Sequence, residues 1–234
     1  MKRKNKFYHF GDSFAFNNFN FETASGKARI QPGGFGWRLA KHFGLEYQFE
    51  AMTGDSNEGI FSKIIHLNDF IKGDIILINW SFFSRSWYLD KHDALHSTNH
   101  WFDENHGEYN DDVQQFEKFI NDNKAFMDFL LENNYEITKK LFFGFVTPYL
   151  KTLEDRGVKI YHMFIRANEK LKLNNNEKVF DVSGLPGEVI HFYPNYFDWL
   201  NDKNWKNEEQ GHYTKDIQGK LFTEIINKIQ KNIL

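Results

Sequence analysis

Two short segments at opposite ends of the chain carry the residue types of nucleophilic acyl transfer. In the first, the apolar run Phe7 to Phe10 stops at Gly11, and Gly11-Asp12-Ser13 delivers a hydroxyl into the following loop. A rigid strand behind, an exposed hydroxyl in front and free backbone N–H groups nearby are what a serine nucleophile needs. The tripeptide by itself also serves as a common turn or helix cap. In the second, Glu209-Gln210-Gly211-His212 stands just ahead of the last helical pattern. A histidine on a loop can take a serine proton near neutral pH, provided a carboxylate holds its tautomer and stabilises the imidazolium. Glu209 supplies that carboxylate from the same turn. Taken alone, His212 reads as a surface histidine near a helix start. The pairing with Ser13 is what gives it meaning.

The elements that must position these residues alternate between strand and helix. Residues 6–11 read as a short buried strand. Trp37 to Phe43 begins a helix that stops at Gly44, and Glu46 to Met52 reads as a second strand. Thr53-Gly54-Asp55-Ser56-Asn57 is a turn cluster that can cap a helix running to about Ile71, with Ile60, Ile64, Ile65 and Leu67 as its stripe. Asp74 to Trp80 is the clearest strand, an unbroken apolar run of the kind buried on both faces. Helical patterns occupy about 111–133 and 136–156. Val158 to Ile165 is a further strand, 167–189 gives no clear pattern, and Val189 to Phe192 is a short fifth strand. The final helix covers about Lys215 to Ile233. This alternation predicts an α/β fold with a mainly parallel sheet and helices on both faces. Ligands in such sheets bind beyond the carboxyl ends of the strands, which here follow Phe10, Met52 and Trp80.

Together these blocks resemble the SGNH or GDSL-type esterases and lipases. That family places Gly-Asp-Ser after the first strand and an acidic-x-x-His block before the last helix. Ala51-Met52-Thr53-Gly54-Asp55-Ser56-Asn57 is similar to its second block, whose glycine lends an N–H to the oxyanion hole, and by position Gly54 inherits that role. The resemblance spans about 13 to 212, nearly the whole chain. It implies a single domain over 1–234, a flavodoxin-like three-layer α/β/α sandwich, and ester hydrolysis through an acyl-enzyme with no metal or organic cofactor. Two positions depart from the family pattern. Glu209 stands where Asp is usual. The third block, usually Gly-x-Asn-Asp, is replaced by Ile78-Asn79-Trp80-Ser81-Phe82. By position Ser81 falls where the family has its oxyanion-hole Asn, with Asn57 as a substitute donor. Loss of one such donor costs on the order of 100-fold or more in rate. Ser56, in a second Gly-Asp-Ser, competes with Ser13, and its bland role is a helix N-cap.

Residues 83–110 read as an irregular, lid-like insertion crowded with rings, among them Arg85, Trp87 and Trp101 as candidate substrate contacts. His92, His96 and His100 would share one face of a helix and could bind a divalent ion, but no His-Glu-x-x-His pattern accompanies them. The chain is expected to hold no metal. Phe116, Phe119, Phe126, Phe129, Phe142, Phe143 and Phe145, at helical spacing, read as core or helix-packing surface.

Bulk composition excludes several classes. The net charge is −3 with no long basic run, which argues against a nucleic-acid partner. No stretch has the apolar length of a membrane helix, and no apolar h-region follows the basic start. With no cysteine, disulfides and thiolate chemistry are absent. The expected partner is a small-molecule or glycan ester, and the expected location is the cytoplasm or a phage-type particle. Three alternatives stay open: an inactive relative that binds glycans as a virion or surface module, a structural protein, and a metal-dependent hydrolase.

Overall fold

Strands covered on both faces read as continuous apolar runs, and three such runs form the centre of the sheet. A computed structural model describes residues 3–12, 15, 34–51, 55–81, 87–89, 95–97, 138–164, 170–173, 176–179, 182, 184–192, 199–200, 202–203 and 215–231. In chain order the elements are β1 (Lys6–Gly11), α1 (Phe35–His42), β2 (Glu46–Ala51), α2 (Asn57–Leu67), β3 (Ile75–Trp80), β4 (Trp87–Leu89) and β5 (Leu95–Ser97). A π-helical segment (Lys140–Val146) then continues into α3 (Thr147–Asp155). There follow β6 (Lys159–Phe164), β7 (Lys170–Leu173), β8 (Asn176–Val179), β9 (Glu188–Val189) and α4 (Lys215–Lys231). Five strands form one parallel sheet in the order β2-β1-β3-β6-β9. This is the flavodoxin-like doubly wound order, whose switch point lies between β1 and β3.

Side chains alternate across the sheet, and each set meets its own pair of helices. Phe7, Ile75, Leu77, Tyr161 and Met163 pack on Phe35, Leu39 and Ala40 of α1 and on Ile217, Leu221, Ile225, Ile226 and Ile229 of α4. Tyr8, Phe10, Ile76, Ile78, Trp80, Ile160 and Phe164 pack on Ile60, Phe61 and Ile64 of α2 and on Phe142, Val146, Leu150 and Leu153. Helices on both faces make three layers, α/β/α, as the sequence predicts. Among the described residues no helix is long and apolar enough to cross a membrane.

Several local expectations change. α2 stops at Leu67 rather than near Ile71, because Asn68 turns to a φ of 29° and the Asp74 side chain accepts from Ile71 N at 2.9 Å. The segment 83–110 is not wholly irregular, since β4 and β5 pair antiparallel with Tyr88 opposite His96. His96 thus lies in a strand, while His92 and His100 lie outside the described residues. Among the described residues no cluster of three metal-ligating side chains exists. An antiparallel pair, β7 and β8, occupies part of the stretch without a clear pattern. The last parallel strand is only Glu188–Val189. Around it, side chains supply bonds that a longer ladder would: Gly187 N donates to Glu154 Oε1 (3.0 Å), and His162 Nε2 donates to Pro186 O (2.7 Å). Of the phenylalanines in 116–145 that are described, Phe142 is core, whereas Phe143 and Phe145 are exposed. Phe142 and Val146, four apart, face the core, and the rings between them face outward. The expected helix over 111–133 lies outside the described residues.

The amino end of the sheet is pinned by one buried carboxylate. Asp74 accepts from Arg3 Nη2 (2.7 Å), Lys6 N (2.9 Å), Ile71 N (2.9 Å) and Asn5 Nδ2 (3.3 Å). It joins the starts of β1 and β3. Removing it takes an acceptor from two part-buried backbone N–H groups and from the Arg3 guanidinium, which keeps its bond to Asp69 O. Asp74→Ala should therefore lower stability by about 2–4 kcal/mol, read as a fall in the midpoint of urea unfolding.

Candidate active site

The switch point places the carboxyl ends of β1 and β3 side by side, with Gly11 paired to Asn79 on one flank and to Ala51 of β2 on the other. Gly11 is required by close approach. A Cβ there would stand 2.7 Å from Ala15 Cβ and 2.8 Å from Asn79 Cβ, too near for either neighbour to keep its place. Beyond it, Ala15 N donates to Asp12 O at 3.0 Å.

The side chain of Asp12 is fully buried. Ser81, the first residue beyond β3, donates its hydroxyl to Asp12 Oδ2 at 2.8 Å. Asn57, in the first turn of α2, grips the Ser81 peptide from both sides. Its Oδ1 accepts from Ser81 N (2.8 Å) and its Nδ2 donates to Ser81 O (3.3 Å). The three blocks singled out in the sequence, at 11–13, 54–57 and 79–81, thus converge on one edge of the sheet through Asp12, Asn57 and Ser81. Ser56 is fully buried, and its Oγ accepts from Gly59 N at 3.3 Å. It caps α2 and has no nucleophile's exposure. Asp55, also buried, forms an ion pair with Lys63 on the same helix and so ties the turn before α2 to the helix body.

Beneath this edge, on the α1 side, a polar relay crosses three strands. His9 of β1 contacts Tyr47 Oη of β2 through Nδ1 (3.0 Å) and Asn79 Oδ1 of β3 through Nε2 (3.2 Å). With Asn79 Oδ1 as acceptor, the proton sits on Nε2, and Nδ1 accepts from the Tyr47 hydroxyl. Gly36 in the first turn of α1 lies against the His9 ring, where a Cβ would fall 2.3 Å from Nδ1. Asn79 Nδ2 is buried with no hydrogen-bond partner among the described residues. Sequence reasoning missed this relay. The available signal was a single polar residue inside each of two apolar strands, His9 and Asn79.

Of the predicted site residues, Asn57 and Ser81 are brought together. Ser13, Gly54, Arg85, Trp101, Glu209 and His212 lie outside the described residues. Trp87 begins β4, and its side chain also lies outside them. The described element nearest His212 along the chain is α4. Its Gln218 Oε1 accepts from Phe35 N, the first residue of α1, at 2.8 Å. Phe35 in turn packs edge-on to His9, with ring centroids 4.9 Å apart.

Strand order and site together define the class: a doubly wound α/β/α protein with a polar network at its switch point. No family model matches the chain, and no curated protein matches it. Among solved structures the chain is similar to an acetyl xylan esterase, AlAXEase, at 13% identity over 95% of this chain and 98% of that chain, with a TM-score of 0.40. So loose a likeness leaves the class resting on the strand order and the site.

Two expectations follow from this geometry. Gly11→Ala forces apart the ends of β1 and β3 and should cost about 1–3 kcal/mol, measured by denaturant unfolding. The second concerns pH. Burial, the dominant cause, holds His9 at about 3 against its ordinary 6.5, opposed by its bond to Asn79. Burial likewise holds His162 at about 4, opposed by its bond to Pro186 O and by Glu154. Both rings stay neutral in the fold but take a proton when unfolded below about 6.5. Stability is therefore full above that value and is lost as pH falls, down to about 4 for His162 and about 3 for His9, because the unfolded chain binds protons the fold refuses. Near pH 5.5 each ring should add a slope approaching ~1.4 kcal/mol per pH unit. Urea unfolding between pH 7 and 5 should show that slope roughly halved in His162→Asn.

Proposed function

We propose that this protein is a serine hydrolase that cleaves acyl esters, with Ser13 as nucleophile, His212 as general base and Glu209 as the carboxylate that orients it. The carrying observation is the bonding of Asp12 to Ser81 and of Ser81 to Asn57, which gathers the first three sequence blocks at the switch-point edge, where doubly wound folds bind ligands. The bond from Ala15 N to Asp12 O joins the residues on either side of Ser13 and Phe14 in the sequence. Further support comes from α4, whose Gln218, shortly after His212, bonds to the amino end of α1 beside His9.

In this reading His212 takes the Ser13 proton as Oγ attacks the ester carbonyl, and the backbone N–H groups of Ser13 and Gly54 hold the oxyanion. Collapse of the tetrahedral intermediate expels the alcohol, which receives the proton from His212. Water, deprotonated by His212, then attacks the acyl-enzyme and releases the acid. Arg85, Trp87 and Trp101 are proposed to line the substrate side, and carbohydrate O-acetyl esters are the proposed substrate class. One observation favours a second reading, a catalytically silent glycan-binding module: the Ser81 hydroxyl hydrogen is already directed at Asp12.

A fluorophosphonate probe and p-nitrophenyl acetate turnover decide between them. The wild type should be labelled and active. Ser13→Ala should lose labelling and at least about a thousandfold in turnover, with His212→Ala similarly impaired. Labelling that persists in Ser13→Ala sinks the assignment. An unlabelled, folded wild type that binds acetylated xylan favours the silent module.

A further inference from the structure

The sequence offers Ser81, by its position in the third block, as an oxyanion donor and Asn57 as a substitute, yet their bonds run elsewhere. A serine hydroxyl carries one hydrogen. Here that hydrogen points at Asp12 Oδ2, 2.8 Å away, in a site where Ser81 is 2% exposed and Asp12 is fully buried. To serve an oxyanion, Ser81 would have to abandon a buried carboxylate, which costs more than an ordinary hydrogen bond. Both polar atoms of the Asn57 amide engage the Ser81 peptide. Ser81 lies just past the last paired residue of β3, so Asn57 provides the pair of bonds a neighbouring strand would otherwise give. The chain of contacts runs from α2 through Asn57 to the Ser81 backbone, through the Ser81 hydroxyl to the Asp12 carboxylate, and through Asp12 O to Ala15 N. Ala15 is buried against Gly11.

We infer that Ser81 and Asn57 are positioning residues: a clamp that fixes Asp12, and with it the turn from Asp12 to Ala15, instead of a pair of oxyanion donors. The clamp explains why a hydroxyl is tolerated where the resembling family carries an amide. The side chain at this place bonds backward, to the carboxylate preceding the nucleophile's position. The inference rests on the hydrolase reading only for its effect on rate.

The test compares wild type, Ser81→Ala, Ser81→Thr and Asn57→Ala by two independent readouts. The first is amide hydrogen exchange at Ala15, with Leu77 in the middle of β3 as the core reference. The clamp requires Ala15 exchange to speed up about tenfold in Ser81→Ala and Asn57→Ala while Leu77 stays at its wild-type rate, and requires Ser81→Thr to recover most of the protection. The second is fluorophosphonate labelling together with kcat and KM on p-nitrophenyl acetate. Labelling and kcat should fall in step with lost Ala15 protection, with KM within about twofold, and Ser81→Thr should restore them. Loss of labelling with Ala15 exchange unchanged would make Ser81 a direct donor and overturn the clamp. Equal acceleration at Ala15 and Leu77 would also overturn it, because the clamp acts locally. An unlabelled wild type refutes the hydrolase reading, while Ala15 exchange still judges the clamp.

Discussion

β1 and β3 carry helices on both faces, so the polar groups at their carboxyl ends turn to partners inside the protein, with Asn79 Nδ2 left without one among the described residues. An unpaired buried donor or acceptor costs about 1–3 kcal/mol. The response is a compact set of cross-strand bonds. His9 reaches Tyr47 on one neighbouring strand and Asn79 on the other. Ser81 reaches Asp12, and Asn57 descends from α2 to close the Ser81 peptide. A similar solution holds the far edge, where Trp80 Nε1 donates to His162 Nδ1 (2.9 Å) and so fixes the tautomer that donates to Pro186 O. Neutral, tightly bonded imidazoles in both layers tie the strands together without placing a charge in the core.

The two ends of the sheet are fastened differently. At the amino end, Asp74 gathers a guanidinium, two backbone N–H groups and a side-chain amide. At the carboxyl end, Asp12 accepts from the Ser81 hydroxyl, and the residues beside it, Gly11, Ala15 and Ser81, are small. Small residues there let β1 and β3 approach closely. Each end is thus held by a buried carboxylate, and the carboxyl end is the one at which doubly wound folds bind ligands.

Much of this was legible from local pattern. The apolar runs at 7–10 and 75–80 announced strands buried on both faces, and the stripe in 217–229 announced a helix packed on the sheet. Ser56 followed its expected role as a cap. Other features escaped. Phe143 and Phe145 fit a helical stripe in the sequence, but of its described members only Phe142 reaches the core. Val189 to Phe192 looked like a strand by composition, yet only Glu188–Val189 pairs, with neighbouring bonds supplied by Glu154 and His162. His96 belongs to a hairpin because its partner is Tyr88, a pairing that no helical spacing could reveal.

By itself the sequence determined the periodicities: that the long central apolar runs are strands, which helix faces are apolar, and that strand and helix alternate into a layered α/β fold. Those properties are local, since burial of each element depends on the spacing of its own apolar residues. The tertiary structure decided the partner of each polar group. Asp12 and Ser81 are 69 positions apart, and nothing near either one says that they share a hydrogen bond. That bond exists because the crossover sets β3 against β1, and strand order is fixed by the packing of all the layers at once.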